Sequence, residues 1–216
     1  GVTAHRIEDP ASDRPRVIAT GADGSPLEIE AEFVVGADGS RSVVREAVTG
    51  SHTGGHFREY PFAWFGILCQ APPSHEVLIY SRSDRGFALI SQRSADVQRM
   101  YFQADPGTDP DDWSDDRIWT ELQARVDGPD GFELKTGPIF DKTVLPFRSY
   151  VCEPLRYGNM FLVGEAGHTV PPTGAKGLNL AFCDVRVLAP AIIEFFGSGD
   201  ERGLAGYSAK IGRAHV

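Results

Sequence analysis

The segment GEAGHTVPPTGAKGLNLA, residues 164–181, places a carboxylate, two adjacent prolines and two isolated glycines between an apolar run and an apolar helix. The run NMFLV predicts a buried strand that delivers Glu165 to the edge of a sheet, where ligands bind in open α/β folds. At that edge, Glu165 can accept hydrogen bonds from the hydroxyl groups of a ligand. Pro171 and Pro172 stiffen the chain, because proline fixes its own φ and disfavours helix at the preceding residue. We expect this stiff segment to leave a proline carbonyl pointing outward.

The helix after this segment is predicted to begin at a positively polarised end. Thr173, Gly174 and Ala175 approach its N-terminus, where free backbone N–H groups and the helix dipole favour negative charge. A proline-stiffened loop before a core helix, with Glu165 merely solvated, is the alternative. The residues alone leave both interpretations open.

The segment GADGSRSVVR, residues 36–45, ends another predicted strand. Its carboxylate, Asp38, and two cations, Arg41 and Arg45, can lie beside a dinucleotide. Asp-Gly is above all a turn signal, so this motif alone is weak evidence for a ligand site.

Alternation along two further predicted strands, FALISQRS and RMYFQ, places several polar side chains on one face, and Tyr80 of VLIYS can join them. The predicted face carries Phe87, Leu89, Ser91, Arg93, Arg99 and Tyr101. A guanidinium beside serine and tyrosine hydroxyls suits the bidentate capture of a small carboxylate. The solvated face of a half-exposed sheet shows the same alternation, and the pattern alone favours that interpretation.

The elements that position these residues follow from periodicity and turn signals. Residues 16–36 predict strands around a turn at Asp23-Gly24, and residues 61–103 predict an antiparallel sheet. Residues 110–126 predict an amphipathic helix capped by Ser114, with Ile118, Leu122 and Val126 on its apolar face. KTVLPFRSYV and NMFLVG predict strands, and a helix from about Lys176 to Phe196 contains Pro190, which should kink it or mark its end.

Composition excludes several classes of function. The 216 residues are 41% apolar with a net charge of −9, which predicts a globular protein and disfavours nucleic acid as a partner. No apolar run reaches the length of a membrane span, and no signal sequence is recognisable, so the predicted location is the cytoplasm.

The cysteines and histidines do not predict a metal site. Cys69, Cys152 and Cys183 are widely spaced and contain no CxxC pair, so we expect reduced thiols and no bound metal. Both ends of the chain are interpreted as cut. The last six residues, Ile211–Val216, match the translation of a sequencing adapter and are predicted to be a non-native tail.

Several segments together resemble the single-component FAD-dependent aromatic hydroxylases of the 4-hydroxybenzoate 3-monooxygenase type. They are GEAGHTVPPTGAKGLNLA, GADGSRSVVR, YPFAWFGIL, HEVLIY, RGFALISQRS and WSDDRIWTEL. The likeness covers nearly the whole chain up to about Lys210. SQRS and PPTGAKGLNLA are its most specific parts, whereas the Gly-Ala-Asp-Gly motif is shared across the wider class of flavin hydroxylases.

The resemblance implies substrate contacts for residues of the predicted sheet and of the double-proline segment. Ser91, Arg93 and Tyr101 match positions that hold the substrate carboxylate, and Tyr80 matches the catalytic tyrosine that bonds the phenolic oxygen. Pro172 matches a catalytic position whose carbonyl faces the same phenol, with Thr173 beside it.

The resemblance also implies a set of cofactor contacts. Asp38 and Gly39 match the motif near FAD, Glu165 faces its ribityl chain, and Arg99 positions the moving flavin. Arg41 and Arg148 match positions that contact NADPH. The loop and helix start that face the flavin ring comprise Gly174, Ala175, Lys176, Gly177, Leu178 and Asn179.

The sequence departs from the family pattern in three places. Glu165 stands where the family usually has Asp, and Arg41 stands where it often has His, which leaves the choice between NADPH and NADH open. The family's GxGxxG fingerprint precedes the matched region, and the 216 residues contain no such motif.

These observations predict an α/β fold with an α+β insertion. It comprises the end of a Rossmann-like FAD domain (1–58), an antiparallel substrate domain (59–150) and a returning FAD-domain strand and helix (151–210). The implied reaction converts 4-hydroxybenzoate to 3,4-dihydroxybenzoate with NAD(P)H and O2 through a flavin C4a-hydroperoxide, in a parent enzyme expected to be a homodimer. The alternatives are hydroxylation of another para-substituted benzoate, or an inactive carboxylate-binding fragment without GxGxxG.

Overall fold

The structure, a computed structural model, describes residues 1–50 and 55–212, in which short strands outnumber helices. The strands are β1 (Thr3–Glu8), β2 (Arg16–Thr20), β3 (Pro26–Glu30), β4 (Val34–Gly36), β5 (Gly55–Gln70), β6 (Ile79–Ser83), β7 (Gly86–Gln92), β8 (Val97–Ala104), β9 (Ile139–Cys152), β10 (Arg156–Tyr157), β11 (Met160–Leu162) and β12 (His168–Thr169). The helices are α1 (Val43–Thr49), α2 (Asp115–Val126), α3 (Gly177–Ser198), α4 (Arg202–Ala205) and α5 (Tyr207–Gly212).

The chain divides into two compact units, and two long strands each pass from one unit to the other. The first unit contains residues 1–58 and 148–216, and the second contains residues 59–147. The boundaries fall inside β5 and β9. We therefore describe each unit by itself.

The second unit is an antiparallel sheet with one helix on its back. The strands β5, β8, β7 and β6 are neighbours in that order, and β9 lies on the other side of β5. From α2, the side chains of Ile118, Leu122 and Val126 are buried against apolar residues of β5, β7 and β8. The predicted antiparallel sheet and the predicted amphipathic helix are both confirmed.

The predicted cap of α2 is also confirmed, because the Ser114 hydroxyl accepts a hydrogen bond from the Arg117 N–H at 3.3 Å. We expect Ser114→Ala to lower the free energy of unfolding by about 1 kcal/mol, since a backbone N–H loses its acceptor. Urea unfolding followed by circular dichroism measures this change. Thr120→Ala is the control, because it removes an exposed hydroxyl from the interior of the same helix. An equal loss in both variants would contradict a capping role for Ser114.

In the first unit, β4 and β11 pair in parallel and carry a buried apolar core. Helices α1, α3, α4 and α5 contribute to this core, and the Tyr207 hydroxyl donates to the Leu162 carbonyl at 2.6 Å. A separate antiparallel sheet, β1-β2-β3, contains the predicted turn at Asp23-Gly24 between β2 and β3.

The C-terminal helices bear on two predictions, one about Pro190 and one about the last six residues of the chain. Helix α3 continues through Pro190 to Ser198, so Pro190 does not end it. The helix ends at Gly199, whose φ of +75° is a left-handed conformation that favours glycine. Ile211, the first residue of the segment predicted to be a non-native tail, has a side chain that is 1% exposed in the core, and the origin of this segment stays a prediction. The rest of that prediction concerns a segment whose residues 213–216 lie outside the described part of the chain.

Within residues 1–50 and 55–212, no helix combines the length and the apolar character needed to cross a membrane.

Candidate functional site

The front face of the second unit, the side of its sheet opposite α2, brings together most of the polar residues that alternation predicted. Tyr80 pairs with Leu89, and Leu89 pairs with Tyr101, so these three side chains form one row across β6, β7 and β8. Ser91 pairs with Arg99 in the neighbouring row. Directly paired residues of antiparallel strands project to the same face, so Tyr80, Ser91, Arg99 and Tyr101 share it.

Aromatic side chains form a wall on this front face. The Trp64 ring lies 4.6 Å from the Tyr101 ring and 5.2 Å from the Phe147 ring, measured between centroids. Phe87 stacks parallel to Trp64 at 5.9 Å and contacts the Tyr80 ring at 5.7 Å. Such a wall provides an apolar surface on which an aromatic ligand can pack.

Two polar residues lie at or next to the end of β7. The strand ends at Gln92, and the N–H groups of Arg93 and Ser94 both bond to the Val97 carbonyl in the turn before β8. Arg93 is therefore the first residue after β7, and its place on the front face stays a prediction. Its side chain is exposed, and its guanidinium has no hydrogen-bond or ion-pair partner within the described residues. The Ser91 hydroxyl donates to the Arg99 carbonyl at 2.9 Å, so it would have to turn before it could donate to a ligand.

Gly66 allows Tyr101 to lie flat on the sheet. A Cβ atom at Gly66 would be 2.8 Å from Cε1 of Tyr101, a distance that forces one of the two residues to move. On the other side, the Arg99 guanidinium lies 4.8 Å from the centre of the same ring. The Tyr101 ring is thus held between Arg99 and the bare backbone of β5.

We expect Gly66→Ala to weaken binding of the benzoate ligand that the resemblance implies about fivefold, because the added Cβ displaces the Tyr101 ring. Equilibrium dialysis with 4-hydroxybenzoate gives the affinity. Gly107→Ala is the control, since nothing lies within 4 Å of the Cβ added there. Unchanged affinity in Gly66→Ala would show that the position of Tyr101 does not matter for the ligand.

In the first unit, Glu165 lies at the end of β11, as predicted. It belongs to a 3₁₀ turn, Gly164–Ala166, that directly follows the strand. Its side chain is exposed, and its carboxylate has no hydrogen-bond or ion-pair partner within the described residues. An exposed, unpaired carboxylate at the carboxyl end of a parallel strand is available to a ligand.

The double-proline segment forms a second 3₁₀ turn, Pro172–Gly174, before α3. The Ala175 N–H donates to the Pro172 carbonyl at 3.0 Å, which leaves the second lone pair of that carbonyl available to a ligand. Ala175 has a φ of +50°, and the chain then enters α3 at Lys176 without a side-chain cap. The backbone N–H groups of the first turn of α3, which include those of Gly177, Leu178 and Asn179, therefore have no side-chain acceptor.

The motif GADG begins α1 and holds it to the strand end. The Asp38 carboxylate accepts from the Ser42 hydroxyl and from the Val43 N–H, the latter at 2.8 Å. Gly39 has a φ of +78°, where glycine is favoured. Asp38 thus fixes the start of α1, and this role was not predicted from the sequence.

Arg45, on α1, was predicted only as a cation beside a ligand, and the structure gives it a structural role as well. Its guanidinium donates to the carbonyls of Glu165 and Ala166 at 3.2 and 3.1 Å, and also to the Ser40 carbonyl. Arg45 therefore links the two motifs GADG and GEAG, which lie more than a hundred residues apart in the chain.

Arg45 also lines a cleft of about 250 Å³ with Arg148, Tyr150 and Thr169. Burial raises the pKa of Tyr150 to about 12, so its phenol stays protonated and can donate a hydrogen bond at neutral pH. Two guanidinium groups in one cleft favour an anionic ligand. Arg41, the other residue predicted to contact a nicotinamide cofactor, is exposed and does not line this cleft.

Comparison with known proteins places these features in a family. Residues 3–215 match the family model described as the FAD binding domain, so the chain belongs to this family of FAD-binding domains.

Among named relatives, the chain is 44% identical over 189 residues to p-hydroxybenzoate hydroxylase from Acinetobacter baylyi, covering 88% of this chain and 47% of that protein. It is 24% identical over 198 residues to a probable NADH-specific resorcinol 4-hydroxylase from Rhodococcus jostii, covering 88% and 35%. The chain thus spans about half or less of the length of these relatives.

The fold agrees with that of a solved flavoprotein. The crystal structure of a ternary complex of aklavinone-11 hydroxylase with FAD and aklavinone superposes with a TM-score of 0.70 at 22% identity, covering 91% of this chain and 37% of that one. At this level of identity, the likeness establishes the fold, and the predicted α/β fold class is confirmed.

Proposed function

We propose that this chain is the part of an FAD-dependent monooxygenase that binds 4-hydroxybenzoate and hydroxylates it. The product is 3,4-dihydroxybenzoate, and the reaction consumes NAD(P)H and O2. The observation that carries the proposal is the front face of the second unit, where Tyr80, Ser91, Arg99 and Tyr101 lie beside an aromatic wall. The 44% identity to p-hydroxybenzoate hydroxylase supports the choice of substrate.

The residues of the first unit fit FAD. The exposed carboxylate of Glu165 suits the ribityl hydroxyls, which are hydrogen-bond donors. The uncapped first turn of α3 suits the electron-rich edge of the flavin ring, because helix N-termini stabilise negative charge. When bound, FAD supplies the redox and oxygen chemistry of the reaction, which no protein side chain can supply.

The substrate carboxylate is proposed to bind at the turn between β7 and β8. Arg93 offers an unpaired guanidinium there, and the hydroxyls of Ser91 and Tyr101 lie on the adjoining front face. Carboxylates bind guanidinium groups through two parallel hydrogen bonds, which fixes the orientation of the ring plane. Arg99, stacked on Tyr101, adds a second positive charge to the same face and is the residue proposed to position the flavin.

Tyr80 is proposed to handle the proton of the substrate phenol. Its side chain is 55% exposed on the front face and contacts Phe87 of the aromatic wall. A tyrosine hydroxyl and a substrate phenol are groups of the same kind, so a proton can move between them with little driving force in either direction. Loss of that proton makes the ring electron-rich and prepares the neighbouring carbon for oxygen transfer.

The nicotinamide cofactor is proposed to contact Arg41 and Arg148. Arg148 lines a cleft with Arg45, which offers a second guanidinium for a pyrophosphate or a 2′-phosphate. The relative from R. jostii is named as NADH-specific, so both coenzymes belong in the test.

The experiment is a two-stage titration of the intact protein. FAD is added first and binding is followed by flavin fluorescence; 4-hydroxybenzoate is then added, and NAD(P)H consumption and 3,4-dihydroxybenzoate are measured. We expect stoichiometric FAD binding and product formation that depends on 4-hydroxybenzoate, with 4-aminobenzoate as the comparison substrate. FAD binding without any hydroxylated product from 4-hydroxybenzoate would overturn the proposed substrate.

A further inference from the structure

Asp184 is a buried carboxylate that the proposed reaction does not use. It lies on α3 in the interior of the first unit and is 1% exposed. Burying a carboxylate is costly unless hydrogen-bond donors surround it. A carboxylate at such a position therefore requires a specific set of partners.

The partners of Asp184 come from both ends of a single short segment. Its Oδ2 atom accepts from the Gly164 N–H at 2.7 Å and bonds to Nε2 of His168 at 2.6 Å. Gly164 begins the 3₁₀ turn that carries Glu165, and His168 begins the strand that follows it. Oδ2 of Asp184 thus links Gly164 and His168, the two ends of the segment 164–168.

Arg45 holds the middle of the same segment through the carbonyls of Glu165 and Ala166. The Gly167 carbonyl accepts from the Cys152 N–H at 2.8 Å. The backbone of the turn is therefore fixed from several directions, whereas the Glu165 side chain remains exposed. Gly164 itself has a φ of +59°, a left-handed conformation that glycine adopts readily.

We propose that Asp184 is a positioning residue for FAD, which sets the backbone of the Gly164–Ala166 turn and thereby aims Glu165 at the cofactor. This inference rests on the proposed function, in which Glu165 contacts the ribityl chain. The other oxygen of Asp184, Oδ1, is buried without a hydrogen-bond partner among the described residues. The carboxylate thus makes its hydrogen bonds to this segment through Oδ2, and Oδ1 accepts none from the described residues.

The test is a double-mutant cycle on FAD affinity in the intact protein, read by flavin fluorescence at a temperature where every variant is folded. Asp184→Ala is expected to weaken FAD binding about tenfold, because the Gly164 N–H loses its acceptor and Glu165 loses its orientation. In a Glu165→Ala background, the same substitution is expected to weaken binding less than about threefold, since Asp184 acts through the Glu165 side chain. Asp184→Asn, which keeps an acceptor oxygen, should recover most of the affinity.

The outcomes separate this inference from the proposed function. Equal losses from Asp184→Ala in both backgrounds, or no loss at all, would overturn the positioning role while FAD binding by the wild-type protein stands. Failure of the wild-type protein to bind FAD would overturn both. If Asp184→Ala does not fold, Asp184→Thr fills more of the same volume without reaching Gly164, and the cycle is run with that variant.

Discussion

Tyr80→Phe is expected to lower the rate of 4-hydroxybenzoate hydroxylation about 100-fold while the affinity for 4-hydroxybenzoate changes little. The substitution removes one hydroxyl from the front face and keeps the ring that contacts Phe87 at 5.7 Å. Without that hydroxyl, the substrate phenol keeps its proton and the ring stays electron-poor. Reduced flavin should then react with O2 without transferring oxygen, so hydrogen peroxide replaces the aromatic product.

Single-turnover product analysis, combined with a peroxide assay, measures this uncoupling. Tyr60→Phe is the control, because Tyr60 packs against the same aromatic cluster. An equal yield of 3,4-dihydroxybenzoate in Tyr80→Phe and the wild-type protein would remove Tyr80 from the chemistry.

Arg93→Ala is expected to weaken 4-hydroxybenzoate binding about 30-fold, or ~2 kcal/mol, because the substrate carboxylate loses a charge-assisted, bidentate partner. The guanidinium has no competing ion pair among the described residues, so removing it should leave the fold unchanged. The measurement is a binding titration at constant FAD saturation.

Two variants sharpen the interpretation of Arg93→Ala. Arg93→Lys keeps the positive charge and loses the planar fork, so we expect an intermediate affinity. Arg117→Ala removes an exposed arginine of α2, on the opposite side of the sheet, and should bind like the wild-type protein. If Arg93→Ala and Arg117→Ala bind 4-hydroxybenzoate equally well, the carboxylate is held elsewhere.

The sequence predicts which helices and strands form better than it predicts the residues at which they begin and end. Helix α2 is predictable because its apolar period and its Ser114 cap are both local signals. The front face is predictable from alternation as far as Ser91 and Tyr101. After Gln92 the chain turns toward β8, and the Arg93 N–H bonds to the Val97 carbonyl. The residue at which this turn begins depends on the register of β7 and β8, which no single strand reveals.

The supporting residues of the site were not predictable from the sequence. The contact between Trp64 and Tyr101 depends on how β5 pairs with β8, and Gly66 matters only because that pairing puts the Tyr101 ring above it. Asp184 looks like any acidic residue of a helix until α3 packs against a turn twenty residues earlier in the chain. Arg45 joins two motifs by a contact across more than a hundred residues. Contacts of this kind follow from tertiary packing, which local patterns do not encode.

A titration of the FAD-loaded protein with 4-hydroxybenzoate, followed by flavin absorbance, tests the central claim most directly. We expect a saturable change in the flavin spectrum in the wild-type protein, and a shift of its midpoint to about 30-fold higher concentration in Arg93→Ala. A wild-type spectrum that does not respond to 4-hydroxybenzoate, or one that responds identically in Arg93→Ala, would contradict the assignment of the front face as the substrate site.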